Sequence, residues 1–316
     1  ALRGFPAAIG RPGPVMAISI GGAAANFALN WALIHGWFGL PPLGLAGIGL
    51  VTALVANVMT LLLFLHLLRH PAYAAYPLAR GLLRPRLAEL RELLRLGLPI
   101  GGTYAVESGM FAFAALCMGA IGSDALAAHQ IAIMSVYVAF MVPVGISYAT
   151  TFRIGQHYGA GRLADARRAG RLGIGGGACC MLVFALLFWL APEWVVGLFL
   201  DHQDPQFASV VALAVSLLAV AAWFELFDGI QTIAMGAIRG LKDGKTTLLV
   251  GILCYWVIGI PLAWALAFPL GWGAEGVWWG LAGGLACAAI GLTLGFEWRM
   301  ARMLRPQSVT AQACLS

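Results

Sequence analysis

The chain has 316 residues, of which 61% are hydrophobic and only 10% charged, and its mean hydropathy is +0.88. A soluble domain carries about 25% charged residues, and one core of this size cannot hide so much apolar surface, so the composition excludes an ordinary soluble domain. The formal net charge of +6 invites a nucleic-acid reading, which the placement of the charges along the chain then rules out.

Residues 1–14 show neither a basic n-region nor a cleavage site of a signal peptide. Apolar windows follow at 14–35, 45–68, 96–120, 125–150, 169–191, 207–237, 246–268 and 276–298. Each is near the ~20 residues that a spanning helix needs. Such continuous apolar runs lack the alternation of a lipid-facing barrel strand, and lipid leaves only a helix as the other solution. The fold class expected is therefore an all-α membrane protein with eight transmembrane helices.

Arg3 and Arg11 precede the first span. Six arginines from Arg69 to Arg95 follow the second, and five from Arg153 to Arg171 follow the fourth. Arg239, Lys242 and Lys245 follow the sixth, while Arg299, Arg302 and Arg305 follow the eighth. That is the whole supply of 19, and the other loops carry only Asp124, Glu193, Asp201, Asp204 and Glu275. Random placement does not segregate charges this way. The positive-inside rule puts both chain ends in the cytoplasm, and the basic loops read as topology signals rather than a nucleic-acid surface.

Two stretches about 230 residues apart resemble each other. ALRGF at 1–5, a turn, a span and GLAGIGL at 44–50 match AIRGL at 237–241, a turn, a span and GAEGVWW at 273–279. The repeat pairs the first two spans with the last two, so the repeating unit is six helices. On this reading the first copy is present without its first four helices. The domains expected are the end of that copy with its linker (1–86), a complete second copy (87–305) and a cytoplasmic tail (306–316).

Three acids lie inside apolar spans: Glu107 in the third, and Glu225 and Asp228 in the sixth. An acid at mid-membrane costs about 2.5–3.5 kcal/mol or more to insert, so it usually faces a cavity and works there. Glu225, Asp228 and Gln231 follow one another at intervals of three and share a helix face. With no Lys or Arg expected inside a span, the natural partner of these acids is a cation from outside: a proton, a sodium ion or an organic cation. Tyr104 and Asn30 are candidate cavity residues beside them, and Asn26, Asn30 and Asn57 are candidates for helix–helix glue. His129 is expected at the outer interface, Pro143 and Pro261 at helix kinks, and Trp37, Trp194 and Trp272 as interface anchors. The cysteines have no zinc-type spacing and read as small buried hydrophobes. GLKDGKTT at 240–247 mimics a phosphate loop but has too few residues between its glycines, so no ATP site is expected. Asp201, His202 and Asp204 form the one cluster an enzyme reading could use; as a solvated loop it carries no catalytic expectation, and no enzyme activity or cofactor is expected.

The stretches LNWALIHGWFGLPPLGLAGIG (29–49), GLPIGGTYAVESGMFAFAALCMGAIGSDALAAHQIA (97–132), VPVGISYATTFRIGQHYGAGRLADAR (142–167) and FELFDGIQTIAMGAIRGLKD (224–243) resemble the multidrug and toxic compound extrusion (MATE) family, in its NorM-like bacterial branch. The resemblance implies two six-helix lobes, with this chain beginning near the end of the fourth helix. It implies an inner-membrane secondary antiporter that exports amphipathic, often cationic drugs in exchange for sodium ions or protons, without ATP, and as a monomer. The family's acids in the seventh and tenth helices fall on Glu107 and Asp228, which makes them the expected coupling-cation site and the place for sodium if sodium is the ion. Two alternatives stand beside this reading: an exporter of lipid-linked precursors or polysaccharides from the same superfamily, and a non-transporting membrane scaffold or membrane enzyme.

Overall fold

A computed structural model describes residues 4–35, 44–73, 87–200 and 207–305. These residues hold no strand and eight helices long and apolar enough to span a membrane. They are α1 (Gly13–Ile34), α2 (Gly44–Arg69), α3 (Leu87–Ile121), α4 (Ser123–Gly159), α5 (Leu163–Leu190), α6 (Ala208–Gly240), α7 (Gly244–Ala267) and α8 (Gly273–Leu304). Short helices at Gly4–Ala8 and Pro192–Gly197 and a 3-10 turn at Pro71–Tyr73 join them.

The helix ends at the loops without Lys or Arg fall within about three residues of the apolar windows, but several ends at the basic loops run longer. α3 starts at Leu87 rather than 96, α4 continues to Gly159 rather than 150, and α8 to Leu304 rather than 298. Hydropathy marks only the length that crosses oil. Beyond it, Leu, Ala, Glu and Arg remain strong helix formers, so LAELRELLR and RMARML carry their helices on into the headgroup layer. The extension of α3 puts Pro99 in a helix interior.

The chain divides into two compact units, Ala1–Leu90 and Arg91–Ser316. In the first, α1 packs on α2. Asn26 donates to Thr52 Oγ1 across the pair at 3.4 Å, and Asn30 donates to Asn26 Oδ1 at 3.0 Å. Asn57 bonds its own helix instead, donating to the Ala53 carbonyl at 2.8 Å.

The second unit is built around α6, which packs against α4, α5 and α8. Small residues and hydroxyls set the contact with α4. Ser147 Oγ donates to the Thr232 carbonyl and Thr151 Oγ1 to the Gly236 carbonyl, both at 2.8 Å, and Ser209 Oγ donates to Asp124 Oδ2 at 2.8 Å. All three pairs are offset by the same 85 residues, so the two helices run parallel in fixed register. In oil, where apolar side chains gain little by leaving lipid, such bonds and close backbone approach supply the association. At the basic end Glu297 of α8 accepts from Arg167 at 2.6 Å and from Arg171 at 2.7 Å, clasping α5 to α8. Large apolar side chains such as Leu116, Val138, Leu190 and Ile290 face outward, as a lipid-facing surface requires.

α7 is a regular helix only at its two ends. Ile252–Gly259 forms a π-helical stretch just before Pro261. Pro261 has no N–H to give the preceding turn and its ring crowds the carbonyl four residues back; the wider π turn accommodates both defects. Pro143, by contrast, is buried inside α4 with helix continuing through it.

The turn between α6 and α7 is the stretch that mimics a phosphate loop. Lys242 sits there at φ 61°, a left-handed conformation costly for a side chain, and Asp243 caps α7. The Asp243 carboxylate accepts from the Thr246 N–H at 3.1 Å and from Thr246 Oγ1 at 2.9 Å, and Arg299 of α8 donates to it as well. Partial burial pushes this carboxyl up, but the bonds from Thr246 and Arg299 outweigh it and hold it below its ordinary value of 3.8. A lowered carboxyl contributes stability that is present above the ordinary value and lost as pH falls through the lowered one. Asp243→Ala is therefore expected to destabilise the protein by about 1 kcal/mol at neutral pH. In thermal melts in detergent, the gap from wild type should close as the buffer is taken below pH 3.8. A gap that stays constant into acid would show that the cap, as a charge, contributes nothing.

Candidate functional site

Glu107 of α3 and Asp228 of α6 line one cavity of about 440 Å³ between α3, α4 and α6. Asp228 is 3% exposed and Glu107 half-buried. Tyr104, Ser108 and Phe111 continue the α3 wall, and Ile133, Val136, Tyr137 and Phe140 supply the α4 wall. The pocket is thus apolar and aromatic with two carboxylates in it. An apolar wall gives an amphipathic body its contact, while the acids give a positive charge its partner.

Asp228 is held from behind. Gln231 Nε2 donates to Asp228 Oδ1 at 3.2 Å, and the Gln231 carbonyl accepts a short hydrogen bond from the Tyr255 hydroxyl of α7. The amide oxygen of Gln231 thus faces Tyr255 and its N–H faces Asp228. Gln231 and Tyr255 are both fully buried. The π stretch of α7 is the segment that carries Tyr255.

The other sequence candidates fall differently. Gln231 is a support for Asp228 and not part of the cavity wall. Glu225 is fully buried, is not on that wall, and neither carboxylate oxygen has a hydrogen-bond partner among the described residues. Tyr104 is on the wall, and Asn30 lies in the first unit, bonded to Asn26.

Three expectations need correction. Arg239 belongs to α6, which runs to Gly240, and its guanidinium folds back over the Tyr104 ring at 4.9 Å while donating to the Tyr104 hydroxyl at 3.0 Å. A cation therefore stands one helical turn from Glu107, where none was expected; the apolar window had ended the span at 237 and left Arg239 in a loop. His129 is 2% exposed and meets Trp278 edge to face at 5.7 Å. The interface reading judged its depth alone and missed that α8 covers it; the same Trp278 meets Phe224 at 5.4 Å, which in turn meets Phe111 on the cavity wall. The cysteines are not uniformly inside: Cys117 and Cys254 are buried, but Cys179 is exposed. Trp194 and Trp272 are exposed at helix ends, whereas Trp37 and the cluster Asp201, His202 and Asp204 lie outside the described residues. Among the described residues, no three His, Cys, Asp or Glu side chains gather as a metal site would need.

Eight long apolar helices, with acids turned into an internal cavity, define a multi-pass α-helical membrane protein. The MatE family profile matches residues 99–265, and the chain belongs to that family. It is 70% identical over 312 residues to the probable multidrug resistance protein NorM of Pseudomonas aeruginosa, covering 99% of this chain and 64% of that protein. The protein of the same name from Pseudomonas syringae pv. tomato is 65% identical, covering 98% of this chain and 68% of that one. The chain thus spans about two thirds of the length of these curated relatives. Among solved structures, a crystal structure of MATE in complex with MaD3S superimposes with a TM-score of 0.81 at 20% identity, covering 93% of this chain and 63% of that one. A MATE family transporter of the MOP superfamily in an outward-facing conformation gives 0.78 at 22% identity, covering 89% and 61%.

Proposed function

We propose that the chain forms the cation-coupled part of a multidrug exporter that trades sodium ions or protons for amphipathic organic cations. The observation that carries this reading is the cavity itself: Glu107 and Asp228 converge on one apolar and aromatic space. Their placement supports exchange by competition. A small cation and an organic cation both seek the same two carboxylates, and a ligand shifts the transporter's equilibrium only by its differential affinity for the two states. The membrane potential adds about 2.3 kcal/mol per charge per 100 mV to drive inward cation movement. The names of the relatives, as multidrug resistance proteins, support a drug cargo, and none is named for an enzyme activity. The segregated basic loops support an inner-membrane location with both described ends cytoplasmic.

The test is equilibrium binding of tetraphenylphosphonium, a lipophilic cation, to the purified chain in neutral detergent. Binding is expected, and it should weaken when sodium is added or when pH falls. Displacement by sodium at constant pH would favour sodium as the coupling ion, and sensitivity to pH without any to sodium would favour protons. Binding indifferent to both sodium and pH would overturn the reading. The polysaccharide or lipid-linked precursor alternative calls for basic side chains on the cavity wall; Arg239 comes near that wall but is held against Tyr104.

A further inference from the structure

A second concave site lies at the basic end of the membrane-spanning unit, between α4 and α5. It is a groove of about 560 Å³ whose charged rim is Arg153 and His157 from α4 and Asp165 and Arg168 from α5. The rest of its lining is Ala149, Thr150, Ala169, Leu172 and Gly173, apolar but for the one hydroxyl. Leu172 is 66% exposed, turned outward in the first stretch of α5 that enters oil.

Basic residues at this end are expected from topology alone, so their number says little. Their pairing says more. Of the arginines near the start of α5, Arg162 pairs with Asp165 at 4.0 Å, and Arg167 and Arg171 share Glu297. Arg168, about 100° round the helix from Arg167, makes no ion pair among the described residues, nor does Arg153 across the groove. The only acid on the rim, Asp165, is already engaged by Arg162. His157 adds a ring nitrogen, Nδ1, that is buried without a hydrogen-bond partner. Two guanidiniums without an ion pair therefore line a groove that also takes in the outward-turned Leu172.

We propose that this groove binds the headgroup of an anionic phospholipid, with the phosphate between Arg153 and Arg168 and an acyl chain along Leu172. The guanidinium fork suits phosphate oxygens, and basic pockets between helices on the cytoplasmic side are suited to such headgroups. A free phosphate would satisfy the rim but would leave the apolar lining unused, so the lipid is the better occupant. This inference rests on the membrane placement and not on the drug reading.

Native mass spectrometry of the purified chain, titrated with phosphatidylglycerol, phosphatidylcholine or inorganic phosphate, tests it. Phosphatidylglycerol should bind, phosphatidylcholine should bind much more weakly, and inorganic phosphate should not displace the bound lipid. At about 1 kcal/mol per basic residue near the surface, Arg153→Gln with Arg168→Gln should weaken phosphatidylglycerol binding roughly thirtyfold. Arg153→Lys with Arg168→Lys keeps the charge and should retain most of it, and Arg91→Gln with Arg95→Gln, on the exposed start of α3, should weaken it much less than the groove pair does. Equal retention of both lipids, displacement by phosphate alone, or wild-type binding by the glutamine pair would each overturn the site. Should the glutamine pair fail to fold, the lipid preference of the wild-type chain decides the matter.

Discussion

Asp228→Asn should blunt the sensitivity of organic-cation binding to sodium or pH and weaken the binding itself by thirtyfold or more. The estimate follows from the environment. Asp228 is 3% exposed, and removing one member of a buried charge pair costs about 2–5 kcal/mol, which is roughly thirtyfold to several thousandfold in affinity. Glu107→Gln should act in the same direction with a smaller loss, because Glu107 is less completely enclosed than Asp228. Tyr255→Phe probes the support: without the phenol, the Gln231 amide is free to turn and Asp228 loses its fixed donor, a change worth about 1 kcal/mol, or roughly fivefold. Glu225→Gln, off the cavity wall, should leave probe binding close to wild type. Titration of tetraphenylphosphonium into each variant, with a melting curve to confirm folding, reads all four. If folded Asp228→Asn protein keeps its full ion-sensitive affinity, the two-carboxylate site is wrong.

The spans and the two cavity acids were legible in the sequence for one reason: lipid punishes exceptions. A continuous apolar run has few structural solutions, and an acid within one is conspicuous. What the sequence concealed lay in side-chain reach and in contacts between distant helices. Gln231 shared a face with Asp228 by spacing, yet nothing in spacing said that Tyr255, on the next helix and in a π stretch, would fix its amide. Arg239 was missed because a hydropathy window ends where charge begins, while the helix and a long guanidinium side chain both continue. Arg239 over Tyr104 also changes the physical picture of the cavity. The chain supplies its own cation near the cavity wall, held on Tyr104, so an incoming cation enters a space with a positive charge at its edge. His129 differs in the opposite direction: its place near the start of α4 follows from the sequence, but its azimuth, under Trp278, is not readable from one helix alone.

The largest stability effect is expected where α7 and α8 cross. Gly276, Gly280 and Gly284 recur every four residues on α8, and Ala267, Ala263 and Gly259 face them on α7 with the same spacing. A Cβ at 276 would stand 2.7 Å from the Ala267 nitrogen, and one at 284 would stand 2.9 Å from the Cys254 carbonyl oxygen. At 280 it would fall on the backbone of Ala263 itself. Backbone cannot step aside as a flexible side chain can, so the two helices must separate, and in lipid no hydrophobic force draws them back together. Gly280→Leu should therefore cost about 3 kcal/mol or more, and even Gly280→Ala about 1–2 kcal/mol. The same helix holds its own control. Nothing lies within 4 Å of a Cβ at Gly295, so Gly295→Ala should stabilise by up to about 1 kcal/mol through helix propensity alone. Melting followed by tryptophan fluorescence in detergent should thus show opposite signs for one chemical change at two points of α8. Two equal shifts would mean that the seam is not the close approach described. Because α7 also carries Tyr255, separating it from α8 should loosen the bond to Gln231, so Gly280→Leu protein that survives purification is expected to bind organic cation more weakly although position 280 is far from the cavity wall in sequence and not part of it.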